Sequence, residues 1–169
     1  MDERYSMIGF VVIVVLYAVV GLMAATGVIS ITRKIFGPRV EQVFYGVFLI
    51  LIAGFYLAFV AYFGKATAWR METAAVVFFA LVGLFGVRLP VALVIGYALH
   101  GAWDLVHELN AQGAISTYYL GQLTAVPLAY GVFCAAFDVC IAAYVFKRSA
   151  EWNAAWAPQP QQQETTPPA

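Results

Sequence analysis

Residues Gly96–Glu108 read GYALHGAWDLVHE, a polar interruption near the end of an otherwise apolar run. The stretch holds both histidines of the chain and two of its nine acidic residues. On a helix turning about 100° per residue, one stripe collects small, aromatic and polar side chains: Gly96, His100, Trp103, Asp104 and His107. The opposite side is aliphatic. This division predicts a helix that faces lipid on one side and polar groups on the other.

The composition places this helix in a membrane. Hydrophobic residues make up 63% of the chain and charged residues 11%, whereas a soluble domain is about half apolar and about a quarter charged. The apolar residues fall into runs that approach or exceed the roughly 20 residues needed to cross a bilayer. We predict an all-α, polytopic membrane helix bundle with about five transmembrane helices: Met7–Ile31, Gln42–Phe63, Thr73–Val87, Val91–Val106 and Tyr118–Phe146.

The sequence indicates one membrane domain and a short tail. Residues 1–149 contain all the apolar runs and form the predicted transmembrane domain. Residues 150–169 are rich in Pro, Gln and Thr, and such a segment lacks the apolar surface needed to fold, so we expect it to be disordered. Cys134 and Cys140 lie about 9 Å apart along one predicted helix, which is too far for a disulfide between them.

Basic residues give an orientation, because lysine and arginine collect in cytoplasmic loops. Six lie on one predicted side, namely Arg33, Lys34, Arg39, Arg88, Lys147 and Arg148. Three lie on the other side, namely Arg4, Lys65 and Arg70. We predict a multi-pass protein of the cell inner (plasma) membrane, with the N-terminus outside and the C-terminus in the cytoplasm. The zero net charge and the lack of a basic cluster argue against a nucleic-acid partner.

Depth along the helices divides the polar residues into two groups, because each residue rises about 1.5 Å. An outer group lies near the non-cytoplasmic surface and contains Glu72, Asp104, His107 and Glu108. An inner group, His100 and Asp138, lies near mid-membrane. Carboxylates at such depth usually face the bundle interior or water. We therefore expect Glu72, Asp104 and His107 to approach one another, and Asp138 to hydrogen-bond to His100.

These residue types suit two kinds of chemistry. Acid–base catalysis would use His100, Asp104, His107 and Asp138. A divalent metal such as zinc or iron would be bound by Glu72, Asp104, His107 and Glu108. The pair His107-Glu108 begins like a zinc-protease helix, but residue 111 is Ala where that motif needs a second histidine.

The leading interpretation is a membrane-embedded metal-dependent or acid–base site, open to the non-cytoplasmic side, for a lipid-soluble or small substrate. Whether the protein is an enzyme stays open at this point. A proton-linked small-solute transporter is one alternative, since histidine changes charge near neutral pH. An accessory or assembly subunit is another, since polar contacts between membrane helices fix partner and register. The expected partners are the lipid bilayer and either further copies of the chain or a larger membrane complex.

Three motifs carry a resemblance to a known family: Trp69-x-x-Glu72, His100-Gly-x-Trp103-Asp104-x-x-His107 and Cys134-x-x-x-Asp138. Together they resemble a family of small integral membrane proteins from bacteria and fungi. The resemblance covers predicted spans two to five, and leaves out the first span and the tail. It implies that these residues belong to one site, and it implies no particular activity.

Overall fold

The computed structural model describes residues 3–64, 66–111 and 123–158, and the regular structure within them is helical. Five α-helices follow one another along the described chain: α1 (Glu3–Ile35), α2 (Pro38–Phe63), α3 (Trp69–Gly86), α4 (Pro90–Ala111) and α5 (Tyr130–Trp156). A short 3-10 turn, Ala66–Ala68, precedes α3. The predicted all-α class is confirmed.

Four segments of the described chain are long and apolar enough to cross a membrane: Met7–Ile35, Pro38–Phe63, Ala66–Gly86 and Tyr130–Trp156. The helix α4 is not among them, because both histidines and two carboxylates interrupt its apolar run. Its 22 residues nevertheless give a length of about 33 Å, comparable with the hydrocarbon core of a bilayer at about 30 Å.

Glycine and proline set the limits of the central helices. Gly37 precedes α2, and Pro38 takes its first position, where the missing N–H costs no hydrogen bond. Gly64 ends α2 in the left-handed conformation with φ 64°, a common helix terminator. Pro90 begins α4. The resulting short connections set α2, α3 and α4 side by side in alternating directions.

The packing centres on α4 and α5, which contact each other most extensively. The helix α1 packs on α5, α2 packs on α3, and α3 packs on α4. Gly131 allows the close approach of α4 and α5, because a Cβ atom there would lie 2.3 Å from the carbonyl oxygen of Asp104. This contact brings the polar stripe of α4 against α5.

The outward faces of the bundle are apolar. Large side chains along α1 are more than half exposed, including Met7, Ile8, Val15 and Leu16, and only 6% of the most apolar window of α1 is buried inside the protein. An apolar surface of this extent is typical of a membrane or protein interface and rare on a soluble monomer.

The fifth helix differs from its prediction at both ends. It begins at Tyr130, and the described residues 123–129 are not helical, although the predicted span Tyr118–Phe146 includes them. It continues to Trp156, so residues 150–156 are helical and not part of a disordered tail. The reason is tertiary: Trp152 is fully buried, and its indole N–H donates a 3.0 Å hydrogen bond to Glu41. Two parts of these predictions lie outside the described chain. They are residues 112–122, in the predicted loop and the predicted start of the helix, and residues 159–169 of the tail.

Candidate functional site

Four buried side chains from three helices form the His100 cluster, which consists of Tyr56, His100, Asp104 and Asp138. His100 Nδ1 lies 2.7 Å from Asp138 Oδ2 and 3.2 Å from Asp104 Oδ2. The Tyr56 hydroxyl donates to Asp104 Oδ1. None of the four is more than 2% exposed. The predicted hydrogen bond between His100 and Asp138 is confirmed.

The geometry of α4 explains why Asp104 belongs to this cluster. His100 and Asp104 are four residues apart on one helical face, and helical side chains slope toward the N-terminus. The Asp104 carboxylate therefore reaches down toward His100, and Tyr56 holds it from α2. Asp104, predicted to lie with Glu72 and His107 in the outer group, makes its contacts in the structure with His100 and Tyr56 instead.

A second set of contacts forms the His107 cluster, which consists of Glu72, Trp103, His107 and Thr124. His107 Nε2 pairs with Glu72 Oε1 at 2.9 Å, and its Nδ1–H donates to the Trp103 carbonyl at 3.0 Å. The backbone N–H of Thr124 donates to the same Glu72 oxygen at 2.8 Å. The predicted approach of Glu72 and His107 is confirmed. Both ring nitrogens of His107 already have protein partners, so a metal bound there would displace one of these contacts.

Glu108 belongs to α4, but its side chain lies at the N-terminus of α5. Its two carboxylate oxygens accept hydrogen bonds from the backbone N–H groups of Ala129 and Gly131, each at 3.1 Å. A carboxylate is favoured at a helix N-terminus, where backbone N–H groups lack partners. The structure thus divides the predicted metal ligands among three places: Glu72 with His107, Asp104 with His100, and Glu108 at the α5 N-terminus.

A different trio has the spacing of a ligand set. His100, Asp104 and Asp138 each offer one ligand atom, and these atoms all lie within 4.8 Å of one another. One imidazole nitrogen and two carboxylate oxygens are donors that zinc and iron accept. His100 Nε2 and Asp138 Oδ1 have no hydrogen-bond partner among the described residues. The trio can therefore exchange a proton or hold a divalent metal.

The His100 cluster borders a cavity of about 470 Å³ between α2 and α5. Small-molecule sites commonly measure about 300–1,000 Å³. His100, Cys134 and Asp138 contribute to one part of its wall. Aromatic side chains supply most of the remainder, namely Phe48, Phe55, Phe59, Tyr130, Phe133 and Phe137. Cys134 and Cys140 are both free thiols, as their spacing predicts.

Tyr56 is a site residue that the sequence analysis misses. It is one of many aromatic residues in α2, and its identity alone does not separate it from lipid-facing neighbours. A positional signal exists, because the buried apolar side chains of α2 recur every three or four residues: Tyr45, Leu49, Ala53, Tyr56 and Val60. This periodicity defines one helical face, and Tyr56 lies on it.

The Glu41 cluster, which consists of Glu41, Tyr144, Arg148 and Trp152, is also missed. Glu41 is fully buried, and its carboxylate accepts hydrogen bonds from the Tyr144 hydroxyl, from Arg148 Nη2 at 2.8 Å and from Trp152 Nε1 at 3.0 Å. The cluster joins the beginning of α2 to the end of α5. Its donors all come from residues more than 100 positions away in sequence, so no local pattern reveals it.

The fold and the site define a class: an all-helical protein with four helices suited to a membrane and a buried His/Asp cluster beside an apolar cavity. Within that class, the chain belongs to a family of unknown function (DUF6010), whose family model matches residues 11–151. The matched range spans the positions of the three motifs and most of α1, which the resemblance had left out. Comparisons with curated proteins and with solved structures give no match.

Proposed function

We propose that this protein is a membrane-embedded acid–base enzyme that acts on a lipid-soluble small molecule. The observation that carries the proposal is the 2.7 Å contact between His100 Nδ1 and Asp138 Oδ2 on the wall of a largely aromatic cavity. His100 is buried, and its Nε2 has no hydrogen-bond partner among the described residues. A histidine oriented on one side by a carboxylate and unpartnered on the other is suited to proton transfer.

The chemistry follows from the hydrogen bonds. If Nδ1–H donates to Asp138, the ring is held in the tautomer whose Nε2 carries a lone pair. Nε2 then accepts a proton from the substrate: a substrate X–H bond breaks, an Nε2–H bond forms, and the carboxylates of Asp138 and Asp104 stabilise the imidazolium charge. Returning that proton to another atom of the substrate completes an isomerisation without any co-reactant.

The location of the site follows the predicted topology. We propose that the chain spans the plasma membrane and that both histidines lie toward the non-cytoplasmic side. The exposed apolar surfaces of the helices support the membrane assignment. The excess of basic residues at the opposite end of the bundle supports the orientation.

The proposal is tested by comparing membrane lipids. The wild-type chain, His100→Gln and Asp138→Asn are expressed in a bacterial host that lacks the protein. Lipid extracts are compared by liquid chromatography coupled to mass spectrometry, because isomers have equal masses and must be separated before detection. We expect the wild-type chain to convert one lipid species into an isomer, and both variants to lose this conversion while keeping a normal melting temperature in detergent. Cys140→Ser is the matched control, because Cys140 lies on α5 without lining the cavity.

Three outcomes would contradict the enzyme proposal. A wild-type extract identical to that of the empty host would remove the evidence for turnover. Variants that keep full conversion would show that His100 and Asp138 are not catalytic. If His100→Gln and Asp138→Asn instead lowered the amount of an assembled complex, the accessory-subunit alternative would replace the enzyme.

A divalent metal is the second candidate, because the ligand atoms of His100, Asp104 and Asp138 lie within 4.8 Å of one another. Metal analysis of the chain purified in mild detergent distinguishes the two candidates. One equivalent of metal that is lost in Asp104→Asn but kept in His107→Gln would establish a metal centre at the His100 cluster. Metal-free wild-type protein that still converts its lipid would favour acid–base chemistry.

A further inference from the structure

A second cavity of about 520 Å³ lies next to the one that borders the His100 cluster. It is formed between α1 and the beginning of α5, where Leu16, Val20 and Leu128 contribute to its wall. The two cavities share three lining residues: Pro127, Tyr130 and Phe133. The cavities therefore meet at these residues, and a ligand long enough to occupy both would have His100 and Asp138 at its one polar end.

The polar end lies at the His100 cluster and contains two carboxylates. His100 and Asp138 line the first cavity, and Asp104 lies behind them at 3.2 Å from His100 Nδ1. The described residues that line either cavity include no lysine and no arginine. An anionic head group placed beside these two carboxylates would be repelled, because like charges brought together in a buried site are costly. A neutral head group with one hydrogen-bonding function suits this end.

The apolar end lies open to the outside of the bundle. Leu16 is 55% exposed, Val20 46% and Leu128 57%, so the second cavity opens on the same surface that the proposed membrane would cover. A ligand that enters here comes from the lipid phase, and an apolar chain can stay in contact with that phase while its head lies deeper.

We infer that the two cavities bind one neutral amphiphile, a long-chain alcohol. Its hydroxyl group lies at His100 and Asp138, and its chain passes Tyr130 and Phe133 toward α1. The inference names a ligand of the site, not the lipid that is isomerised; it rests on the proposed function for the position of the head group, but alcohol binding is measurable without turnover.

The binding test uses a hexadecanol probe with a photoreactive group at the chain end, added to the full chain in lipid nanodiscs. We expect crosslinks on α1 near Leu16 and Val20, identified by peptide mass spectrometry. Unlabelled hexadecanol should compete, whereas hexadecanoate, with its anionic head, should compete at least about tenfold more weakly. Equal competition by the two compounds, or crosslinks spread evenly over all helices, would overturn the inference.

A matched pair of variants on α1 tests the path of the chain. Val19 and Val20 are both 46% exposed, but only Val20 lines the second cavity. Val20→Trp should weaken hexadecanol binding at least about tenfold and leave hexanol, which is too short to reach α1, unaffected. Val19→Trp should change neither, and an equal response of the two variants would contradict the proposed path.

The outcomes for binding and for chemistry are separable. If hexadecanol fails to bind and the wild-type chain still isomerises a lipid, the alcohol inference is wrong and the enzyme proposal stands. If hexadecanol binds with the expected selectivity and no lipid changes, the enzyme proposal is wrong and the binding site stands.

Discussion

Tyr56 connects the two histidine clusters from a helix that carries neither histidine. Its hydroxyl donates to Asp104 in the His100 cluster, and its ring lies 4.3 Å, centroid to centroid, from the ring of His107. The side chain is 2% exposed. Tyr56 therefore holds Asp104 beside His100 and packs against the imidazole of the other cluster, so both depend on the position of α2.

Removing the Tyr56 hydroxyl should destabilise the protein. Tyr56→Phe leaves Asp104 Oδ1 buried without its donor, and such a loss costs about 1–3 kcal/mol. We expect a lower melting temperature in detergent and weaker lipid conversion. Tyr62→Phe is the control, because Tyr62 is 83% exposed and its replacement should leave the melting temperature unchanged. A Tyr56→Phe protein as stable as the wild type would show that this hydrogen bond contributes nothing to folding.

Depth along a helix predicts some of these contacts and misses others. It predicts the pairs His100–Asp138 and Glu72–His107, because each pair occupies one level of the bundle. It fails for Asp104, whose side chain slopes back toward His100 by about one helical turn. It also fails for Glu108, whose partners are backbone N–H groups at a helix start that the sequence does not locate.

At the scale of helices, the Glu41 cluster fastens the beginning of α2 to the end of α5. Glu41→Gln removes the charge that Arg148 pairs with, and hydrogen bonds to charged groups contribute about 1.5–3 kcal/mol. We expect a melting temperature clearly below that of the wild type, measured by thermal unfolding in detergent.

Glu151→Gln is the matched control for Glu41. Glu151 also pairs with Arg148, but its side chain is 53% exposed, and an exposed ion pair contributes little. We expect almost no change in melting temperature. If both variants were equally destabilised, the stabilising role assigned to the buried Glu41 carboxylate would be wrong.

Gly131 tests the close packing of α4 against α5. In Gly131→Ala, the new Cβ would lie 2.3 Å from the Asp104 carbonyl oxygen, so the helices must separate. Overpacking of this kind costs about 1–3 kcal/mol, and separating the helices would also lengthen the His100–Asp138 contact. We expect a lower melting temperature together with loss of lipid conversion.

Gly27→Ala is the control for Gly131, since no atom of another helix lies within 4 Å of a Cβ placed at Gly27. The extra methyl group should be neutral or slightly stabilising, because alanine favours helix over glycine. Wild-type stability and conversion in Gly131→Ala would show that α4 and α5 tolerate a wider separation than the structure indicates.

The helices themselves are largely predictable, and their ends are not. Apolar runs locate the middle of all five helices, because burial or lipid contact requires apolar side chains along their length. The end of α5 depends instead on Trp152, which is buried and contacts Glu41 and Tyr45 of α2. Composition marks that segment as a tail, and tertiary contacts make it helical.

At the scale of the molecule, the two ends of the bundle carry different polar groups. The His107 cluster lies where α3 and α5 begin and α4 ends. The Glu41 cluster lies at the opposite end, where Arg39 and Arg88 contact the ring of Trp156, at 5.1 Å and 4.0 Å from its centroid. This end has the larger share of basic residues, six against three by the sequence count. We therefore predict that the Glu41 end faces the cytoplasm.

Reporter fusions test this orientation. A green fluorescent protein fused after Ala169 should fluoresce, because it folds in the cytoplasm, and alkaline phosphatase inserted between residues 112 and 117 should be active, because it requires the exterior. The variant Arg33→Gln with Lys34→Gln lowers the basic count at the cytoplasmic end from six to four, and we expect it to give a mixed orientation, since the basic bias sets topology. A dark fluorescent fusion together with an inactive phosphatase would show that the bundle has the opposite orientation in the membrane. That result would place both histidine clusters toward the cytoplasm, and a substrate entering beside them would then come from the inner leaflet.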